Sequence, residues 1–240
     1  MENLIKKLDL NEYITNFSKL FAREKSIILE GDINIHYKII SELSKYNINQ
    51  PLSVQNLDSQ LMHLQKQGVF RVYEIYEFIK IINYFLYLKR FNFEGKLLEW
   101  MDKIIIPNDI LKICEYFDDK ANLKEGVDED FDNIKQAIYK NKEEIKQSLY
   151  KTINSSKIKP YLVDMQVHFI NEQECLLVRG GFNHILSGSV IDRSNSGFFY
   201  VIPHSVSDLK EKQSDLKNKQ EEILFRLCKE ISHIFERNLL

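Results

Sequence analysis

The chain has 240 residues, 44% hydrophobic and 28% charged, which is room for one large domain or two small ones. Its formal net charge of −2 excludes a global field drawing it to nucleic acid or anionic lipid, and 8 Gly and 4 Pro leave little room for disordered tails. Cys114, Cys175 and Cys228 form no CxxC pair, which excludes a zinc ribbon or dithiol redox motif and reads as free thiols of a reducing compartment.

The first residues, MENLIKKLDLNEY, lack the apolar core of a signal peptide. The longest apolar stretch, Ile79 to Leu88, is broken by Lys80 and Asn83 and falls short of the ~20 residues of a membrane span. The expected location is the cytoplasm, with no membrane partner.

Residues 1–128 read as a helical core domain. Leu4, Ile5, Leu8, Ile14, Phe17 and Leu20 keep helical spacing, with Asp9 or Asn11 available as the N-cap, and Ser26 to Leu29 extend or follow that helix. Asp32 caps a second helix carrying Ile35, Ile39, Ile40 and Leu43, with a boundary at Gln50 before Pro51. Leu57, Leu61 and Leu64 make a short helix closed by Gly68. Arg71 to Phe91 is apolar on more than one side, the mark of a central helix. Leu97 to Ile104 and Asn108 to Phe117 follow, divided by Pro107. The acidic run DDKANLKEGVDEDFD then offers a short hairpin around Gly126, and Asp128 or Asp130 as the next cap.

Residues 129–158 read as an outgoing helix whose stripe is Phe131, Ile134, Ile138, Ile145 and Leu149, with Lys142 in one apolar slot. Residues 205–240 read as a returning helix through Val206, Leu209, Leu216, Ile223, Leu227, Ile231 and Ile234, capped by Ser205 or Ser207. So narrow a stripe belongs to a two-helix antiparallel pair standing mostly in water. Between them, residues 159–204 carry strand signals: Tyr161 to Val163, Gln166 to Ile170, Cys175 to Val178, Ser187 to Ile191 and Gly197 to Ile202. Turns fall at Asn171-Glu172, Gly180 to Asn183, and Arg193 to Gly197. The fold class is mainly α with a small β insert: a helical core, a two-helix lever arm, and an antiparallel β clamp of four or five strands at its tip.

No catalytic pattern is present. The glycines form neither GxxxxGK nor GxGxxG, and no HExxH or nucleophile elbow occurs. Asp118-Asp119 and Glu143-Glu144 are adjacent pairs, and adjacent residues on a helix point apart. The residues with binding character lie in the insert. Arg179, Gly180, Gly181, Asn183 and His184 surround one turn; Arg193, Ser194, Asn195 and Ser196 surround another; Lys157 and Lys159 stand at the base. Arg, Lys, Ser, Asn and backbone N–H groups hold phosphates without reading sequence. By count, Asp164, Glu172, Glu174 and Asp192 offset Lys157, Lys159, Arg179 and Arg193.

The order of these elements resembles the core, lever and clamp of the MutS superfamily. It is most similar to the second bacterial MutS paralogue, which lacks the mismatch-reading domain and begins in the core. Gly188 to Gly197, followed by Phe198 to Ile202, resembles that family's GxVHDxSxSGxTxFIEP signature. Val167 to Arg179 resembles its VTIRxGRYVLPVK strand pair, and Leu8 to Lys25 its opening helix. Ile191, Pro203-His204 and Gly180-Gly181 depart from the pattern. The resemblance implies a homodimeric protein whose clamp embraces duplex or branched DNA by its backbone in suppression of homologous recombination. The alternative implied is a mechanical arm coupling an ATPase to a partner such as a collided ribosome. No enzyme activity or cofactor is expected of these residues. ATP and Mg belong to the ATPase domain that the family carries with an appended nuclease domain, and the chain is expected to be an N-terminal piece of such a protein.

Overall fold

The computed structural model describes residues 7–23, 31–182 and 184–239. Leu4, Ile5, Ser26 to Leu29 and Asn183 lie outside these. The chain divides into two compact units. One holds the residues up to Val127 together with those from Arg226 on, and the other is Asp128–Phe225.

The first unit is helical. Its first helix, α1, spans Asn11–Ser18. Neither expected residue caps it: the N-cap position is Leu10, which has no side-chain acceptor, and Asp9 turns left-handed with φ 51°. Asp32 does cap α2 (Ile33–Leu43), accepting from Asn34 N at 2.9 Å. That helix stops at Leu43, ahead of the boundary expected at Gln50. Helix α3 (Asp58–Gln65) ends through Gln67, at φ 61°, while Gly68 N reaches back to His63 O at 2.9 Å. The His63 ring lies over Gly68, so that a Cβ there would fall 2.2 Å from it and the ring would have to move aside.

Helix α4 (Val72–Leu88) buries Ile75, Ile79 and Leu88, and Glu74 Oε2 accepts from Arg71 N at its start. Helices α5 (Gly95–Asp102) and α6 (Asn108–Glu115) follow. Leu88, Phe93, Leu97 and Met101 form one core, edged by Tyr46 and Phe91. The hairpin expected around Gly126 lies earlier, as a bridge between Phe117 and Leu123. Hydrogen bonds from Asn122, then Lys120, hold the Asp118 carboxyl below the usual carboxylate range at that turn.

The second unit begins with α7 (Glu129–Ile153), capped by Asp128, which accepts from Phe131 N at 2.8 Å. Its buried stripe is Phe131, Asn141, Ile145, Leu149 and Ile153. The polar residue in the stripe is Asn141, only 1% exposed, and not Lys142, which is exposed. Asn141 Nδ2 donates to Leu209 O at 3.1 Å, and Ser148 Oγ donates to Ser205 O at 3.2 Å. These bonds pair α7 antiparallel with the start of α8 (Ser207–Arg237). Ser205 is thus shared with α7 in the 3-10 turn His204–Val206 that precedes α8. From Ser207 to Arg226 no residue of α8 is buried. Its later turns bury Leu227, Cys228, Ile231, Ser232 and Phe235 as part of the first unit.

The insert is a four-stranded antiparallel sheet in the order β1-β2-β4-β3. The strands are β1 (Leu162–Ile170), β2 (Gln173–Val178), β3 (Gly188–Arg193) and β4 (Phe199–Pro203). The two runs read before Ile170 are one strand, whose register with β2 shifts between Leu162 and Val167. The β1–β2 turn uses Asn171 and Glu172, both with positive φ, 50° and 61°. Cys175, Leu176, Leu177 and Val178 are all buried. Ile145, Leu149 and Ile153 pack against Leu162, Leu176, Val178, Val201 and Val206. Each such aliphatic side chain contributes about 1.5–3 kcal/mol on burial. Gly188 opens β3 because a Cβ there would fall 2.2 Å from Ile202 O.

In the first unit Phe70 stacks on Phe78 and meets Phe235 of α8. Phe70 N donates to Ser232 Oγ at 2.8 Å, and that hydroxyl donates to Cys228 O at 2.7 Å. Ser232→Ala leaves the buried Phe70 N–H without a partner. Chemical denaturation should show a loss of about 1–3 kcal/mol; an unchanged midpoint would mean the bond contributes nothing.

Candidate nucleic-acid interface

Strands β2 and β4 pair with Leu176 opposite Val201, Leu177 opposite Tyr200 and Val178 opposite Phe199. The chain leaving β2 therefore runs beside the chain entering β4. Gly180 lies so near Gly197 that a Cβ on Gly180 would sit 3.1 Å from Gly197 O. Two turns distant in sequence meet here, backbone to backbone.

The first turn is Arg179 to Phe182, closed by Phe182 N donating to Arg179 O at 3.2 Å, with Gly181 at φ 84°. The second is Ser194 to Gly197, closed by Gly197 N donating to Ser194 O at 2.9 Å, with Gly197 at φ 81°. Strand β1 starts at the same end, since Leu162 faces Val178 and Arg179 N donates to Tyr161 O at 2.9 Å. Lys159 opens the 3-10 turn that ends at Tyr161. Strand β3 also ends here, with Arg193 opposite Phe199.

The register thus gathers Lys159, Arg179, Gly180, Gly181, Arg193, Ser194, Asn195 and Ser196 at one end of the sheet. Lys157 lies in the turn leading to it, and His184 is exposed beyond the first turn. Asn183 is outside the described residues. The residues do not have equal freedom. Ser194 Oγ accepts from Phe198 N at 3.1 Å and serves the turn itself. Arg179 Nε donates to Leu162 O at 3.2 Å, which fixes the base of its guanidinium. The Arg193 guanidinium lies 5.3 Å from the Phe199 ring centre, a cation–π contact. Asn195 and Ser196 are exposed at the turn.

The charges of the insert separate along its strands. Lys157, Lys159, Arg179 and Arg193 are exposed, and among the described residues none of them is in an ion pair. Glu172 and Glu174 stand at the opposite end, where Ile170 faces Gln173, and Glu174 is ion-paired with Lys210. Burial pulls Lys210 below the ordinary lysine range, and Lys217 adds to that. Glu174 and Arg179 are five residues apart in sequence, about 16 Å along an extended strand. That is about two Debye lengths at physiological salt, so the acids there do not cancel the cations.

Two acids lie nearer, each in a local hydrogen bond. Both Asp164 oxygens lie 3.0 Å from His168 Nε2, and Asp192 Oδ1 accepts from Arg193 N at 2.7 Å. Burial, with Asp192 nearby, pushes the Cys175 thiol up to about 11, so it is inert at neutral pH. Among the described residues no group of three or more His, Cys, Asp or Glu is placed to hold a metal ion. Among the described residues no helix is long and apolar enough to cross a membrane.

Tyr161 and Phe182 were not among the expected residues. Their rings stand 5.0 Å apart at this end, and Phe182 is exposed. An aromatic directly after two turn glycines was the available signal.

No family model matches the chain. Endonuclease MutS2 of Helicobacter pylori (strain ATCC 700392 / 26695) is 30% identical over 242 residues, taking in 99% of this chain and 32% of the relative. Endonuclease MutS2 of Helicobacter pylori (strain J99 / ATCC 700824) is 31% identical with the same coverage. The chain spans about a third of the length of these curated relatives. Nearly all of the chain is similar to a part of these MutS2 proteins.

Gly180→Val would force a branched side chain against the Gly197 carbonyl. Thermal and urea unfolding should show a loss of about 1–3 kcal/mol. Full stability in that variant would mean the two turns do not depend on their close approach.

Proposed function

We propose that this MutS-like segment holds duplex or branched DNA by its phosphates, at the end of the sheet where the two turns meet. The observation that supports this is the group of exposed cations at or leading to that end, Lys157, Lys159, Arg179 and Arg193, free of ion pairs among the described residues. Arg and Lys beside glycine turns contact phosphate oxygens and leave base edges unread, so the binding is independent of sequence.

In this reading the segment works within a longer polypeptide that suppresses homologous recombination in the cytoplasm as a homodimer. ATP and Mg²⁺ are taken by an ATPase domain elsewhere in that polypeptide. The residues of the present chain fit neither, having no phosphate-binding glycine loop and no metal-holding cluster among those described. The relatives are named endonucleases. We place cleavage, like ATP hydrolysis, outside these residues.

A second reading is favoured by the formal net charge of −2. Here the segment is a mechanical arm that couples the ATPase to a partner such as a collided ribosome, with little DNA affinity of its own.

Fluorescence anisotropy across a salt series separates the two. The unaltered chain should bind linear and branched duplex with affinity that falls steeply as salt rises. The double substitution Arg179→Ala and Arg193→Ala should weaken binding and reduce the log–log salt slope by nearly 2, at about 0.9 per phosphate contact. Binding unchanged by the pair would remove the phosphate assignment, and no binding at low salt would favour the mechanical arm.

A further inference from the structure

Phe182 is a large ring left 41% exposed, directly after Gly180 and Gly181. It leans on Tyr161 with ring centres 5.0 Å apart and a tilt of 37°. The Tyr161 backbone is tied to the same turn, its carbonyl accepting from Arg179 N at 2.9 Å. The Phe182 ring therefore has the Tyr161 ring against one side. Beside it the space is open: a Cβ on Gly181 would meet nothing within 4 Å.

A flat apolar face on a turn bounded by cations matches one chemistry well. A phosphate alone needs no ring, and an apolar protein side chain needs no cations. An unpaired nucleobase offers a π-face for the ring, and its flanking phosphates meet the guanidinium and ammonium groups. We infer that Phe182 is a stacking platform for an unpaired base of a DNA strand whose phosphates are held by Arg179 and Arg193. The inference rests on the phosphate-binding reading above and adds a preference that phosphate contact cannot supply: DNA carrying unstacked bases is held more tightly than a fully paired duplex.

The chain has one tryptophan, Trp100, in the helical unit. Combining Trp100→Phe with Phe182→Trp places the only indole on the turn. Its fluorescence is followed against three probes: an oligothymidylate, an abasic backbone of equal length, and a fully paired duplex. The expected result is quenching by the oligothymidylate and none by the abasic backbone. In the otherwise unaltered chain Phe182→Ala should weaken oligothymidylate binding at least about fivefold and leave duplex and abasic binding unchanged. Phe182→Leu keeps an apolar contact to Tyr161 without a flat ring and should lose as much, with a circular dichroism spectrum like that of the unaltered chain.

Equal binding of oligothymidylate and abasic backbone, with Phe182→Ala or Phe182→Leu unaffected, would overturn the inference. If Arg179→Ala with Arg193→Ala still abolishes abasic binding, the phosphate reading survives that failure. If the unaltered chain binds neither oligonucleotide, both readings fall together.

Discussion

The pairing of β2 on β4 governs everything proposed for this chain. With Val178 opposite Phe199, the residues after one strand and those before the other continue side by side. Gly180 lets the backbones approach, meeting the Gly197 carbonyl, while Gly197 takes a left-handed φ of 81°. A slip of one residue would turn the buried row Leu176, Val178 and Val201 to the opposite face. Burial of that row beneath Ile145, Leu149 and Ile153 therefore fixes the register. The position of the cations is a by-product of hydrophobic burial on the covered face.

The same register explains how a nearly neutral insert presents a charged surface. Acids and bases balance by count, yet Glu172 and Glu174 stand at the far end of strands longer than the screening distance. Two acids remain close, Asp164 hydrogen-bonded with His168 and Asp192 with the backbone of Arg193, and they offset part of the cation charge. Composition averages over a length that electrostatics does not.

Much of the architecture was legible because it follows from local chemistry. Asp32 and Asp128 announce their helices, since a short carboxylate before an apolar stripe can satisfy free N–H groups. Asn171-Glu172 and the glycines mark turns that need left-handed residues. Other features depend on partners remote in sequence. The buried polar slot of α7 is Asn141 and not Lys142, because steps of three and four are both helical and only Leu209 across the pair decides between them. Tyr161 to Val163 and Gln166 to Ile170 look like two strands, yet the irregularity between them is taken up by the β1–β2 register. Among the site residues, the basic and glycine positions were legible by type. The commitment of Ser194 to its own turn and the pairing of Phe182 with Tyr161 were not, since both arise only when the turns close.

The most direct test is amide chemical-shift mapping of the ¹⁵N-labelled chain titrated with short duplex DNA at low salt. The account predicts shifts concentrated at Lys159, Arg179, Gly180, Gly181 and Asn195 to Gly197, with Asn171 to Glu174 unmoved. Shifts centred on the Asn171–Glu172 hairpin, or spread over the helical unit with none at the two turns, would contradict it.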